Sequence, residues 1–181
     1  MRTFLARLAG ARTDERAWRI GAVGEGKVAA QLEKLRAHDP RWRFLHAVPV
    51  GQRGSDIDHV AIGPAGVFTL NAKHHPGARI WITDEEFFVN GRWRPYIRNS
   101  RHEAARASRL LSRACGFQVR VRALIVPVRP GALTVKRPPV DLDVVRRQRV
   151  ARWLAHQPHA LPTAIIEEIF AHARRSTTWQ P

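Results

Sequence analysis

Four residues in two neighbouring segments have the types that phosphodiester chemistry needs: Asp56 and Asp58 in S-D-I-D-H-V-A-I-G, and Asn71 and Lys73 in V-F-T-L-N-A-K-H-H-P. Both segments read as strands, and Gly63-Pro64-Ala65-Gly66 between them reads as a turn. With an even loop, Ile62 faces Val67, Val60 faces Thr69, Asp58 faces Asn71 and Asp56 faces Lys73. Strand side chains alternate, so these eight share one face, apolar at one end and carrying two carboxylates, an amide and an ammonium at the other. Carboxylates bind Mg²⁺ or Mn²⁺ through oxygen, the ion activates a bound water, and a lysine neutralises charge developing on phosphorus. The plainer alternative is an Asp–Lys cross-strand ion pair at a solvated strand end, and a loop one residue longer or shorter would scatter the group.

These strands need a frame. From Asp14 to about His38 the apolar residues Trp18, Val23, Val28, Leu32 and Leu35 follow a helical period, interrupted by Gly21, Gly24 and Gly26. Asp39-Pro40 closes that helix, Trp42 to Val50 reads as a first strand, and G-Q-R-G-S at 51–55 reads as a loop. Arg79–Thr83 and Glu86–Val89 suggest a smaller hairpin. Ser100-Arg101-His102-Glu103 fits a capping box opening a helix through Ala104, Ala107, Leu110, Leu111 and Ala114 to a stop at Gly116. Val119–Val128 reads as a buried strand and Ala132–Val135 as a short one, with helices near Leu142–His156 and Pro162–Arg174. The order αβββαβ followed by helices predicts an α/β fold: one central mixed sheet flanked by helices, with C-terminal helices added. Residues 14–156 are expected to form the body and 157–181 a helical extension packed on the same domain.

A chain of 181 residues suits a single core, and 44% apolar with 25% charged residues is ordinary for a folded protein. The 31 Lys and Arg against 15 Asp and Glu leave a formal charge of +16, which points to a polyanionic partner, nucleic acid first. A lone cysteine, Cys115, excludes an intrachain disulfide and a cysteine-based zinc site, and fits a reducing interior. No apolar run approaches the ~20 residues of a membrane span. The basic amphipathic start M-R-T-F-L-A-R-L-A-G-A-R has no secretory apolar region, so no membrane partner and a cytoplasmic location are expected.

G-A-V-G-E-G-K-V-A in the first helix, G-S-D-I-D-H-V-A-I-G-P-A-G-V-F followed by N-A-K, and the run through P-Y-I-R-N-S together resemble the nuclease-related domain, NERD, of the PD-(D/E)xK superfamily, over about Trp18 to Val128. The resemblance implies a restriction-endonuclease-like core. By position it implies that Glu25 is the helix glutamate, Asp58 the strand aspartate and Lys73 the lysine of the (D/E)xK element. Asn71 stands where that pattern has Asp or Glu, and an amide oxygen coordinates more weakly and brings no charge. The implied site is therefore Glu25, Asp58, Asn71 and Lys73, with Mg²⁺ or Mn²⁺ held by Glu25, Asp58 and the backbone carbonyl of Ala72, and with Asp56 supplying charge.

Arg98, Asn99, Ser100 and Arg101 sit at a helix start, where free amides favour phosphate, and His74 lies just beyond Lys73; these are the candidate nucleic-acid contacts. His59 points to the opposite strand face and suits a buried hydrogen bond, while His74 and His75 diverge and do not share an ion. Trp42, Trp81, Trp93 and Tyr96 fit base stacking or packing, and Arg146, Arg147, Arg149 and Arg152 fit a basic flank or a solvated helix face. Three functions remain: a metal-dependent nuclease acting on DNA; a nucleic-acid-binding module that kept the fold after losing the acid at position 71; and a protein-interaction domain whose charge is incidental.

Overall fold

The computed structural model describes residues 21–50 and 55–180. The first helix, α1, occupies residues 21–38. Its expected start at Asp14, the basic stretch at 1–12 and positions 51–54 of the expected loop lie outside the described residues. Val28, Leu32 and Leu35 form the buried stripe that seats α1.

Strands β1 (Arg43–Val50), β2 (Ser55–Gly63) and β3 (Gly66–His74) follow as an antiparallel meander. The turn is the two-residue Pro64-Ala65: Gly63 pairs with Gly66, Ile62 with Val67 and Val60 with Thr69, the register predicted from an even loop. Gly66 has φ +117°, a conformation that needs glycine there. Three short strands, β4 (Arg79–Ile82), β5 (Phe87–Val89) and β6 (Arg92–Arg94), lead into α2 (Tyr96–Cys115), and β7 (Val121–Val128) then returns parallel to β3. Ala123 to Val128 are all buried, as a strand covered on both faces requires. Strands β8 (Ala132–Val135) and β9 (Leu142–Val144), a 3₁₀ turn at Arg147–Arg149, α3 (Val150–Ala155), α4 (Thr163–Ala173) and a last 3₁₀ turn at Ser176–Trp179 complete the chain.

The central sheet has the order β1-β2-β3-β7-β9 and is mixed, with helices on both faces, as the order of elements predicts. On one face, α1 and α3 bury Val28, Leu32, Val150 and Leu154 against Ala61, Phe68, Leu70 and Val126. On the other, α2 and α4 bury Leu110, Leu111, Ile166 and Ile169 against Val60, Ile62 and Val67. The expected small hairpin grows into a second sheet, β6-β5-β4-β8, whose Ile80, Ile82 and Phe87 pack with Ala104 of α2 and Ile125 of β7. A single sheet therefore understates the architecture.

Most boundaries shift by one or two residues from the sequence reading, and two differ by more. The helix expected over Leu142–His156 begins only at Val150, because Leu142, Asp143 and Val144 extend the sheet by pairing with Ala123, Leu124 and Ile125. The helix expected to start at Ser100 starts at Tyr96, with Pro95 before it and no side-chain cap. A proline at a helix start loses no hydrogen bond, and Ile97 is already buried at that point, so Ser100 falls inside the helix and is itself 1% exposed. Gly116 ends α2 in the left-handed conformation at φ +76°, as its type predicts.

Candidate active site

The β2–β3 ladder ends at His59–Leu70, so the further rungs expected for Asp58 with Asn71 and Asp56 with Lys73 are not formed. Alternation breaks at the same place. Ile57 shares a core with Val60 and Ile62, although strict alternation would send it to the other face. On β1, Ala47 lies between the residues that pair with Ile57 and His59 and has φ +47°, a strained position for alanine. Where the backbone rung is lost, the Asp58 carboxylate replaces it: the Ala72 amide donates to Asp58 Oδ2 at 2.7 Å. Within a strand residue the N–H and C=O point to the same side, so the Ala72 carbonyl also faces the gap beside Asp58.

Into this gap come residues from four elements. Glu25 projects from α1, whose neighbour Gly24 makes close approach possible: a β-carbon built on Gly24 would lie 2.7 Å from Cβ of His74. Nothing lies within 4 Å of the corresponding position on Gly26, so only one of the two glycines serves that packing. Lys73 follows Ala72 on β3, with its ammonium 4.8 Å from the ring centroid of Tyr96, the first residue of α2. Asn71 is 8% exposed, and its Nδ2 donates to Glu103 Oε2 on α2 at 3.1 Å. Asp56, Asn71, Lys73, Tyr96, Asn99, His102, Glu103 and Arg106 line a cavity of about 340 Å³.

Electrostatically the site is an acidic hollow in a basic protein. Burial raises the Asp58 carboxyl, and Asp56 adds to the rise, while Lys73 and the Ala72 amide oppose it. Glu25 is raised by burial and then by Asp58. Glu103 is pushed up to about 7 by burial and then by Asp58, with Lys73 and the Asn71 amide pulling the other way. Lys73 is lowered by burial, against the pull of Asp58, Glu103 and Glu25. One half-buried ammonium thus faces more carboxylate than it neutralises, a setting that favours a further cation.

Among the described residues, no three His, Cys, Asp or Glu side chains stand together closely enough to hold a metal ion by themselves. The donor set nevertheless fits Mg²⁺, which takes one or two protein carboxylates and fills its other positions with water and substrate phosphate. Asn71 Oδ1 and Glu103 Oε1 are both buried oxygens that accept no hydrogen bond.

The expected nucleic-acid contacts divide. Arg98 and Asn99 are exposed on the first turn of α2, and Asn99 lines the cavity. Ser100 is buried within the helix. Arg101 is held by Glu85 at 2.5 Å and Asp141 at 2.8 Å, so its guanidinium bridges α2 and the loops around it. His74 packs under Gly24 of α1, while His75 bonds the Tyr96 hydroxyl at 3.1 Å, so the two histidines diverge as predicted. His59 is 2% exposed and meets His46 Nδ1 to Nδ1 at 2.8 Å, the buried hydrogen bond its strand face implies. Trp42 is 1% exposed and packs on Gly63, whereas Trp81 and Trp93 are exposed.

Glu103 and Arg106 also line the cavity, and the sequence reading did not place them there. Asn99, His102, Glu103 and Arg106 follow the spacing i, i+3, i+4, i+7, which sets them on one face of α2; reading Glu103 as part of a cap concealed that stripe.

No helix among the described residues is long and apolar enough to cross a membrane. Residues 20–128 match the family model described as nuclease-related domain. Among curated proteins and solved structures nothing matches.

Proposed function

The chain belongs to the nuclease-related domain family, and from that premise we propose that it is a divalent-cation-dependent nuclease, hydrolysing phosphodiester bonds of DNA. The observation that carries this reading is the half-buried Lys73 side chain at the edge of an open cavity, in the electrostatic field of Asp58, Glu103 and Glu25. A structural ion pair needs one carboxylate, and here the acids outnumber the base.

Asp58 and Glu25, with the Ala72 carbonyl and Asp56 beside them, are the groups to hold Mg²⁺ or Mn²⁺; the bound ion supplies charge for the phosphate oxygens and a more acidic water. Lys73, fixed over Tyr96, donates to the attacking water or to the phosphate oxygen that gains charge as the new P–O bond forms and the old one breaks. The Ala72 amide locks Asp58 in place, so the carboxylate needs no reorientation during the reaction. Arg98, Asn99, His102 and Arg106 at the start of α2 lie where the flanking phosphates would run.

Labelled linear, circular and single-stranded DNA incubated with Mg²⁺, Mn²⁺ or EDTA tests the proposal. Cutting that needs the ion and is lost in both Asp58→Ala and Lys73→Ala supports it; equal cutting by these variants and wild type would place the chemistry elsewhere. Asn71 favours a second reading, a nuclease fold retired to binding. That reading predicts DNA binding without cleavage in the wild type and cleavage gained in Asn71→Asp.

A further inference from the structure

We propose that Glu103 supplies the carboxylate that position 71 lacks, so that Asn71 from β3 and Glu103 from α2 act as one oxygen-donor unit for the divalent cation. The inference rests on the reading of the chain as a cation-dependent nuclease and names a ligand which that reading does not.

Asn71 Nδ2 donates to Glu103 Oε2 at 3.1 Å. This bond fixes which way the amide is turned. With Glu103 ionised, as a metal ligand must be, the reverse orientation would set Asn71 Oδ1 against Glu103 Oε2, two acceptors with no proton between them. With the amide held so, Asn71 Oδ1 and Glu103 Oε1 remain, both buried and neither accepting a hydrogen bond. Asn71 is 8% exposed, and both residues line the cavity that also holds Lys73 and Asp56. Buried acceptors without donors are costly, and oxygen-seeking Mg²⁺ or Mn²⁺ with its water shell is a partner that satisfies two at once. The amide gives an oxygen without charge, the glutamate gives the charge, and together they replace one strand carboxylate.

A purely structural role, pinning α2 to β3, uses the same hydrogen bond but leaves the two remaining oxygens unexplained, and the two roles separate experimentally. Mn²⁺ binding to the full chain is followed by electron paramagnetic resonance and calorimetry, with thermal melts to verify folding. Glu103→Gln keeps an oxygen to accept from Asn71, so folding is retained while Mn²⁺ affinity falls, by no less than the ten- to hundredfold typical of losing a mere outer-shell partner. The charge swap Asn71→Asp with Glu103→Gln reverses the hydrogen bond, the glutamine amide donating to the aspartate, and restores Mn²⁺ affinity. If Glu103→Gln binds Mn²⁺ as wild type does while Asp58→Ala does not, the nuclease reading stands and the role of Glu103 is refuted. If the swapped variant melts normally but stays weak, Glu103 is only a clamp. If wild type binds no Mn²⁺ at all, the underlying reading fails and this inference with it.

Discussion

Replacing Gly24 by alanine adds one methyl group where α1 crosses the end of β3. The new carbon would sit 2.7 Å from Cβ of His74 and 3.3 Å from its Cγ. Rotation of the His74 side chain cannot move Cβ, so helix and strand must part by about 0.7 Å to regain ordinary contact at 3.4 Å. Overpacking of this kind costs ~1–3 kcal/mol, partly offset by the ~1 kcal/mol that alanine gains over glycine inside a helix. Gly26→Ala on the same helix meets nothing within 4 Å, so it keeps the helix gain of ~0.5–1 kcal/mol without the clash. The two variants should therefore differ in urea unfolding by about 1–3 kcal/mol, with Gly26→Ala the more stable. Because Glu25 lies next to Gly24, the withdrawal also carries its carboxylate away from Asp58 and Lys73. A displacement near 1 Å lowers turnover by on the order of 10²-fold, so Gly24→Ala should lose most cleavage and Gly26→Ala should keep it. Equal stability and equal turnover in the two variants would refute the claim that Gly24 sets the position of Glu25.

Three further outcomes follow from the same geometry. His46 and His59 share one proton between Nδ1 atoms, and burial, followed by the neighbouring ring, holds His59 down at about 3 against an ordinary 6.5; burial also lowers His46. At these two rings the unfolded chain therefore binds more protons, so their contribution to folding stability is full above pH 6.5 and falls as the pH drops towards 3. Urea midpoints across that range should show the slope in wild type and a flatter profile in His59→Gln, and identical profiles would contradict the assignment. A groove of about 880 Å³ beside α3 is lined by Arg146, Arg149, Arg152, Trp153 and His156; Arg149→Gln with Arg152→Gln should make the salt dependence of DNA binding shallower by roughly 2 in log–log slope, and Mn²⁺ affinity should not change. Arg101→Ala breaks two partly exposed ion pairs, so it should cost no more than ~1 kcal/mol for each in thermal unfolding and leave DNA affinity intact; a marked loss of binding would return Arg101 to the phosphate contacts.

The hairpin was readable because Pro64-Ala65 between two glycines permits little besides a two-residue turn, and that turn fixes the register of every rung up to His59. Beyond His59, alternation stops being a guide. The bend at Asp58 depends on Ala47 of the neighbouring strand and on the Ala72 amide, partners that no local pattern in β2 reveals. The α2 boundary was misplaced because S-x-x-E satisfies a local rule that burial of Ile97 overrides. That same local rule assigned Glu103 to a cap, although its role depends on a contact 32 positions away in sequence, with Asn71. Residues 142–144 gave the opposite failure: their apolar spacing allows a helix, and only the free edge of β7 makes them a strand.

Cleavage of labelled linear DNA by the full chain, with Mg²⁺ and with EDTA, for wild type beside Asp58→Ala, tests the central claim most directly. The account predicts products from wild type only when the ion is present and none from the variant. Wild type that binds the DNA yet leaves it intact in Mg²⁺ and Mn²⁺ alike, or an Asp58→Ala protein that cuts as fast as wild type, would contradict it.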